Sequence, residues 1–107
     1  MSGTDDTGGA RGAGGTTAAL MWEARAAAGR GPELLEWARA RAAVLAGEPL
    51  RREILRAPQD RVLVITWWDA DPAAELPELP EPAPDLVTRP VHRWRFESLG
   101  AVEPADG

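Results

Sequence analysis

The chain has 107 residues, no cysteine and a formal net charge of −5. Its size predicts one domain, the lack of cysteine excludes disulfides and thiolate metal sites, and the negative charge argues against a nucleic-acid partner. No apolar run approaches the roughly 20 residues needed to span a bilayer, so we expect a cytoplasmic protein with no membrane partner.

Both ends of the chain are poor in large apolar side chains. Residues 1–17 are mostly Gly, Thr, Asp and Ala, and residues 102–107 are similar. Neither segment can bury enough surface to offset the entropy of ordering. We therefore predict a disordered N-terminal tail at 1–17, one folded domain at 18–101 and a flexible C-terminal tail at 102–107.

The first two predicted elements are a strand and an amphipathic helix. Residues 18–27 alternate between an apolar and a mixed face, as in a half-buried strand. The helix is predicted from Pro32, which needs no backbone donor at a helix start, to Ala46, with Gly47 as its stop. Its apolar side chains recur at helical spacing and form one stripe, which consists of Leu34, Leu35, Ala38, Ala42 and Leu45. Trp37 flanks this stripe, so we expect the helix to lie on a sheet.

Two further strands are predicted to form a hairpin. Residues 50–56 are polar, as in an exposed edge strand, and the turn at 57–60 joins them to an apolar run that begins at Val62. That run ends in the adjacent pair Trp67 and Trp68, and successive residues of a strand face opposite sides of a sheet. We therefore predict that the third strand is covered on both faces, with one tryptophan against the helix layer and the other against a partner subunit.

The remainder of the chain is predicted to be a crossover and a last strand. Four prolines between positions 77 and 84 exclude a long helix. Residues 71–76 fit at most one helical turn, with Asp71 as its cap, and residues 77–85 fit an extended crossover whose acidic side chains lie in water. Leu76, Leu79 and Leu86 are the candidates to contact the sheet. The last strand, at 91–99, alternates between two sets, which are His92, Trp94 and Phe96 on one face and Arg93, Arg95 and Glu97 on the other.

The predicted element order is strand, helix, strand, strand, crossover, strand. This is the order of an α+β ferredoxin-like sandwich with a four-stranded antiparallel sheet and a reduced second helix. In that topology the first and third strands are central, which matches the apolar third strand and the charged second and fourth strands. One face of the sheet has no helix to cover it, so we predict a homodimer packed sheet to sheet.

The chain resembles the dimeric α+β-barrel superfamily, and within it the antibiotic biosynthesis monooxygenase-like group. The resemblance spans Ala18 to Leu99 and rests on the element order, the helix after Gly29-Arg30-Gly31-Pro32, and the third strand that ends in Trp67-Trp68-Asp69. It implies a homodimer that binds small hydrophobic molecules between sheet and helix. Some members oxidise aromatic polyketide-like phenols without metal or flavin, so the resemblance implies a role in secondary metabolism and no cofactor.

The aromatic side chains are the candidate ligand-binding residues, because indole and phenyl faces stack on flat apolar molecules. They are Trp22, Trp67, Trp68, Trp94 and Phe96. The alternative is that they build the core and the dimer interface, since a small domain without disulfides needs such burial. His92 is the candidate catalytic base because its unperturbed pKa is nearest to neutrality, and the alternative is a packed structural histidine. A single histidine with scattered carboxylates predicts no metal site.

Five arginines on the two edge strands are a further candidate group, able to recognise a carboxylate or a phenolate. They are Arg51, Arg52, Arg56, Arg93 and Arg95. Their alternative role is to keep the sheet edges from pairing with other chains, with Glu53 and Glu97 as cross-strand partners.

Two functions follow from the sequence. The first is a homodimeric protein that binds an aromatic or hydrophobic small molecule, as a cofactor-independent monooxygenase or cyclase would. The second is a noncatalytic interaction or accessory protein. It is motivated by the complete lack of asparagine, which the oxygenases of the resembling group typically carry on an early strand.

Overall fold

Four strands and one α-helix follow one another in the predicted order. The computed structural model describes residues 16–105 and contains β1 (Thr17–Arg25), α1 (Gly31–Ala43), β2 (Arg51–Ala57), β3 (Arg61–Trp68) and β4 (His92–Ser98). A short 3-10 helix, Pro84–Leu86, lies before β4. Of the predicted tails, residues 1–15, 106 and 107 lie outside the described residues, and residues 102–105 are exposed. No helix within residues 16–105 is long and apolar enough to cross a membrane.

The strands form one antiparallel sheet in the order β2-β3-β1-β4. The prediction that the first and third strands are central and the second and fourth are edges is confirmed. The fold is α+β with one four-stranded antiparallel sheet and one helix, and it is compatible with a ferredoxin-like topology. Apolar strands occupy the centre because a central strand has neighbours for its backbone groups on both sides and can be buried on a face without exposing them.

The strand register divides the sheet into two unlike faces. Trp22 of β1 lies opposite Val64 of β3, and Ala18 lies opposite Trp68, so these side chains share one face. We call this the covered face, because α1 and the crossover pack on it. The other side is the open face, which no element within residues 16–105 covers as a layer. The buried core lies on the covered face and includes Trp22, Ala24, Leu34, Ala38, Val62 and Val64.

The helix packs as its apolar stripe predicts, but it is shorter than predicted. Leu34, Ala38 and Ala42 are buried, and Leu35, Trp37 and Leu45 pack against the core from its margin. The predicted end at Ala46 is wrong, because α1 ends at Ala43. The amides of Val44 and Leu45 bond the carbonyls of Arg41 and Ala42 at 3.3 Å, which is the tighter pattern of a closing last turn.

Gly47 does not end the helix as predicted but lies in the bend that follows it. Its φ is +81°, and a Cβ there would lie 3.0 Å from Cζ3 of Trp68. Gly29 offers a matched control, because its φ is +76° and nothing lies within 4 Å of its added Cβ. We expect Gly29→Ala to lower the free energy of unfolding by about 1–2 kcal/mol, from backbone strain alone, and Gly47→Ala by about 2–3 kcal/mol. Urea denaturation measures both, and equal losses would contradict the close approach to Trp68.

The crossover follows the predicted extended path, although it begins with a turn and not with a helix. The amide of Ala73 donates to Oδ1 of Asp71 at 2.8 Å, and the amide of Ala74 donates to the Asp71 carbonyl at 2.9 Å. Asp71 therefore caps a turn. Leu79 and Leu86 are buried on the sheet, and Leu76 packs against the cluster of Ala18, Leu20 and Trp68, so all three predicted contacts are confirmed.

Candidate functional site

The structure divides the five candidate aromatic residues between the two faces of the sheet. Trp22 and Trp68 lie buried on the covered face. Trp67 lies half-buried on the open face, together with Trp94 and Phe96, which remain 43% and 47% exposed. The predicted opposition of Trp67 and Trp68 is confirmed, with Trp68 as the residue that faces the helix layer. No single pocket can therefore contain all five side chains.

A cavity of about 280 Å³ lies between the covered face and the crossover, and we call it the crossover cleft. Its apolar walls come from three parts of the chain, namely Leu20, Trp22 and Val64 on the sheet, Leu45 after α1, and Pro77 and Leu79 in the crossover. Its polar groups are Thr66, Glu78, Arg93 and Arg95. Met21 and Trp94 also border the cleft, but alternation places their side chains on the open face. Apolar walls with a few polar groups are typical of small-molecule sites.

The two buried tryptophans hold the walls of the cleft in place. The Trp22 ring is stacked with that of Trp37 of α1, with centroids 5.9 Å apart, and its Nε1 donates to the carbonyl of Pro80 at 3.3 Å. Trp68 does not line the cleft, but its Nε1 donates to the hydroxyl oxygen of Thr66 at 2.8 Å. Trp22 therefore ties the helix to the crossover, and Trp68 orients the hydroxyl that the cleft presents.

The charged wall of the cleft joins β4 to the crossover. Arg93 Nη1 donates to Glu78 Oε1 at 3.1 Å, and Arg95 Nη2 donates to Glu78 Oε2 at 2.5 Å. Burial opposes ionisation of Glu78, but the hydrogen bonds and charges of Arg95 and Arg93 outweigh it, so the pKa of Glu78 is lowered. The glutamate is thus held as a carboxylate between two guanidinium groups.

Sequence reasoning missed Glu78. The sequence predicts that the acidic residues of the crossover lie in water, and the alternative role of the edge arginines has Glu53 and Glu97 as their cross-strand partners. Instead Arg93 and Arg95 contact the crossover, while Arg51 pairs with Glu53 of its own strand at 2.9 Å. The alternation of β4 already placed both arginines on one face, opposite His92 and Trp94, but it did not indicate which of the two faces is covered. The sequence did not reveal the path of the crossover, which brings Glu78 to Arg93 and Arg95.

His92 lies on the open face, away from the side chains that line the crossover cleft. Its Nδ1 is 3.5 Å from Oε1 of Glu23, and its ring meets the Trp94 ring edge to face, with centroids 5.5 Å apart. The candidate base and the side chains of the crossover cleft therefore lie on opposite faces of the sheet. A catalytic role for His92 stays a prediction, and any reaction that it assists would occur on the open face.

Glu23 is the centre of a buried charge cluster that the sequence did not indicate. Glu23 is only 4% exposed although it lies on the open face. Arg89 Nη2 donates to both carboxylate oxygens, at 2.8 and 2.9 Å, while Arg61 Nη1 lies 3.6 Å away. The loop before β4 thus places Arg89 over the end of the sheet. Its guanidinium stabilises the Glu23 carboxylate, which could not stay buried and charged without such a partner.

We expect Arg89→Met to lower the free energy of unfolding by about 1.5–3 kcal/mol, because it removes the two hydrogen bonds that Arg89 donates to the buried Glu23 carboxylate. The double variant Arg89→Met/Glu23→Gln should recover most of that loss, since the buried charge is then gone as well. Arg56→Met is the control, as Arg56 is exposed. Urea denaturation at neutral pH measures all three, and a double variant no more stable than Arg89→Met would contradict the role of Glu23.

Within residues 16–105, no group of three or more His, Cys, Asp or Glu side chains is arranged to hold a metal ion. Comparison of the chain with protein-family models, with curated proteins and with solved structures found no significant match. The candidate site must therefore be judged from its own geometry.

Proposed function

We propose that this chain is a homodimeric protein that binds a small, flat, largely apolar molecule in the crossover cleft of each subunit. The observation that supports it best is the cleft itself. Its volume of about 280 Å³ lies just below the usual range of about 300–1,000 Å³ for ligand sites, which suits a small molecule, and its walls combine apolar side chains with a few polar groups. Among the side chains that face the cleft, Trp22 is the aromatic one.

The homodimer is supported by the composition of the open face. All four strands contribute large apolar side chains to it, which are Leu55, Leu63, Ile65, Trp67, Met21, Trp94 and Phe96. Leu55, Trp94 and Phe96 are between 37% and 47% exposed in the single subunit. Contiguous apolar patches of this kind mark interaction sites. The charged groups of the open face are mostly paired within the subunit, Glu53 with Arg51 and Glu23 with Arg89. Two copies can therefore meet without strong repulsion.

The direct test of the cleft is ligand binding. Titration of the protein with 2-naphthamide, a neutral bicyclic probe, followed by isothermal calorimetry, is expected to show saturable binding of one molecule per subunit. Leu45→Trp should weaken that binding by about tenfold or more, because Leu45 lines the cleft and the larger ring fills it. Val44→Trp is the matched control, since Val44 is 72% exposed and does not line the cleft. Equal binding by the two variants would overturn the proposed site.

Oxygenase or cyclase chemistry would extend this function, but the position of His92 does not favour it in the cleft. The side chain of His92 lies on the open face, whereas the side chains of Trp22, Thr66 and Arg93 face the cleft. A reaction in the cleft would need another proton acceptor. Turnover that survives His92→Ala would be consistent with this separation.

The second candidate function is a noncatalytic interaction protein, and the burial of Trp22 and Trp68 in the core favours it. In that case the tryptophans serve packing and the open face serves the partner. Saturable binding of 2-naphthamide that Leu45→Trp abolishes would argue against this candidate, because packing alone predicts no ligand.

A further inference from the structure

The charged side chains that line the crossover cleft do not balance. Arg93, Arg95 and Glu78 are the charged residues along its wall, which leaves one positive charge in excess within the lining. Outside the lining, the exposed Glu81 lies 3.8 Å from Arg93 Nη2. The complete chain has a formal net charge of −5, so this local balance is opposite to that of the protein. An excess positive charge beside an apolar cavity favours a ligand that carries an anionic group.

We infer that the ligand of the crossover cleft is an aromatic carboxylate whose anionic group takes the place of Glu78 on Arg93 and Arg95. This inference rests on the proposed function. Arginine recognises carboxylates through a planar fork of N–H donors, which makes the pair well suited to this group. The Glu78 carboxylate already contacts both guanidinium groups and marks where a ligand carboxylate would lie.

The two arginines have acceptors in the backbone besides Glu78. Arg95 Nη1 donates to the carbonyls of Pro72 and Ala74 at 2.8 and 2.7 Å, and Arg93 Nη1 donates to the carbonyl of Leu79 at 2.7 Å. These backbone acceptors hold the guanidinium groups when the carboxylate leaves. The site is therefore preorganised for an anion, which reduces the cost of binding.

The exchange requires the Glu78 side chain to turn toward the solvent, with which it is already in contact. Glu78 belongs to the extended part of the crossover, and its side chain is 32% exposed. Within residues 16–105, the Nε of neither arginine has an acceptor, so donors are available beyond those that Glu78 uses. An exchange of one carboxylate for another retains the ion pairs and adds the contact of the aromatic ring with the cleft.

The test compares 2-naphthoate with its neutral counterpart 2-naphthamide by isothermal calorimetry at neutral pH. We expect the carboxylate to bind about tenfold more tightly than the amide. Arg95→Gln and Arg93→Gln should each remove most of this preference, and Arg39→Gln, an exposed helix position, should not. Glu78→Gln should strengthen the binding of 2-naphthoate, because the competing carboxylate is removed, and should thereby widen the preference for 2-naphthoate over 2-naphthamide. Circular dichroism establishes that each variant is folded.

The outcomes separate the inference from the function on which it rests. Equal affinity for the two probes, or a preference that survives both arginine substitutions, overturns the carboxylate inference and leaves the proposed binding function intact. Failure of both probes to bind the folded wild-type protein overturns the two together. A weaker affinity of Glu78→Gln for 2-naphthoate would contradict the exchange of carboxylates.

Discussion

Replacing Trp68 with alanine is expected to lower the free energy of unfolding by about 3–5 kcal/mol. The indole is buried on the covered face, where it packs with Ala18 and Leu20 and where Leu45 and Leu76 close over the cluster. Its removal leaves a cavity and takes away the Nε1 donor to Thr66. A loss of this size is a large fraction of the total stability of a small domain.

Trp67→Ala is the natural control for Trp68→Ala, because the two residues are adjacent but face opposite sides of the sheet. Trp67 is half-buried, and the guanidinium of Arg51 lies 5.2 Å from its ring centroid. If the open face pairs with a second copy, the stability of wild type rises with protein concentration, and Trp67→Ala should reduce that dependence. Trp68→Ala should instead lose stability at every concentration. Urea denaturation at two protein concentrations separates the effects, and identical behaviour of the two variants would contradict the opposite placement.

The fold was predictable from the sequence where the pattern of apolar residues is regular. The alternation of His92, Trp94 and Phe96 with Arg93, Arg95 and Glu97 placed β4 correctly, because a strand repeats every two residues. The stripe that includes Leu34 and Ala38 placed α1 on the sheet by the same reasoning at helical spacing. The adjacent Trp67 and Trp68 were consistent with the central position of β3, since large side chains on both faces are typical of such a strand.

The charged contacts were not predictable, because they depend on loops that have no period. The residues next to Glu23 in sequence do not indicate whether it is buried. Its contacts come from Arg89 in the loop before β4 and from Arg61 and His92 on the neighbouring strands. Glu78 likewise becomes part of the cleft because the crossover packs on Trp22 and Arg93. The end of α1 was not predictable either, since Leu45 lies beyond the helix and still packs against the core.

Ile65→Glu is expected to weaken self-association by about 100-fold or more, because it places a carboxylate from each subunit in the proposed interface. Ile65 lies at the centre of the open face, between Met21 of β1 and Glu53 of β2. The new charge is also beside the Glu53 carboxylate, which adds repulsion within each subunit. The single subunit should still fold, since Ile65 is partly exposed in it and does not belong to the buried core.

Sedimentation equilibrium measures this effect directly, with wild type expected as a dimer and Ile65→Glu as a monomer at the same concentration. Val44→Glu is the matched control, because it adds the same charge at an exposed position near the end of α1 and should leave the dimer intact. Weak interfaces typically dimerise at protein concentrations of about tens of micromolar. A wild type that is still monomeric at that concentration would contradict the sheet-to-sheet pairing. Retention of ligand binding in monomeric Ile65→Glu would place the crossover cleft within one subunit, because the cleft and the open face lie on opposite sides of the sheet.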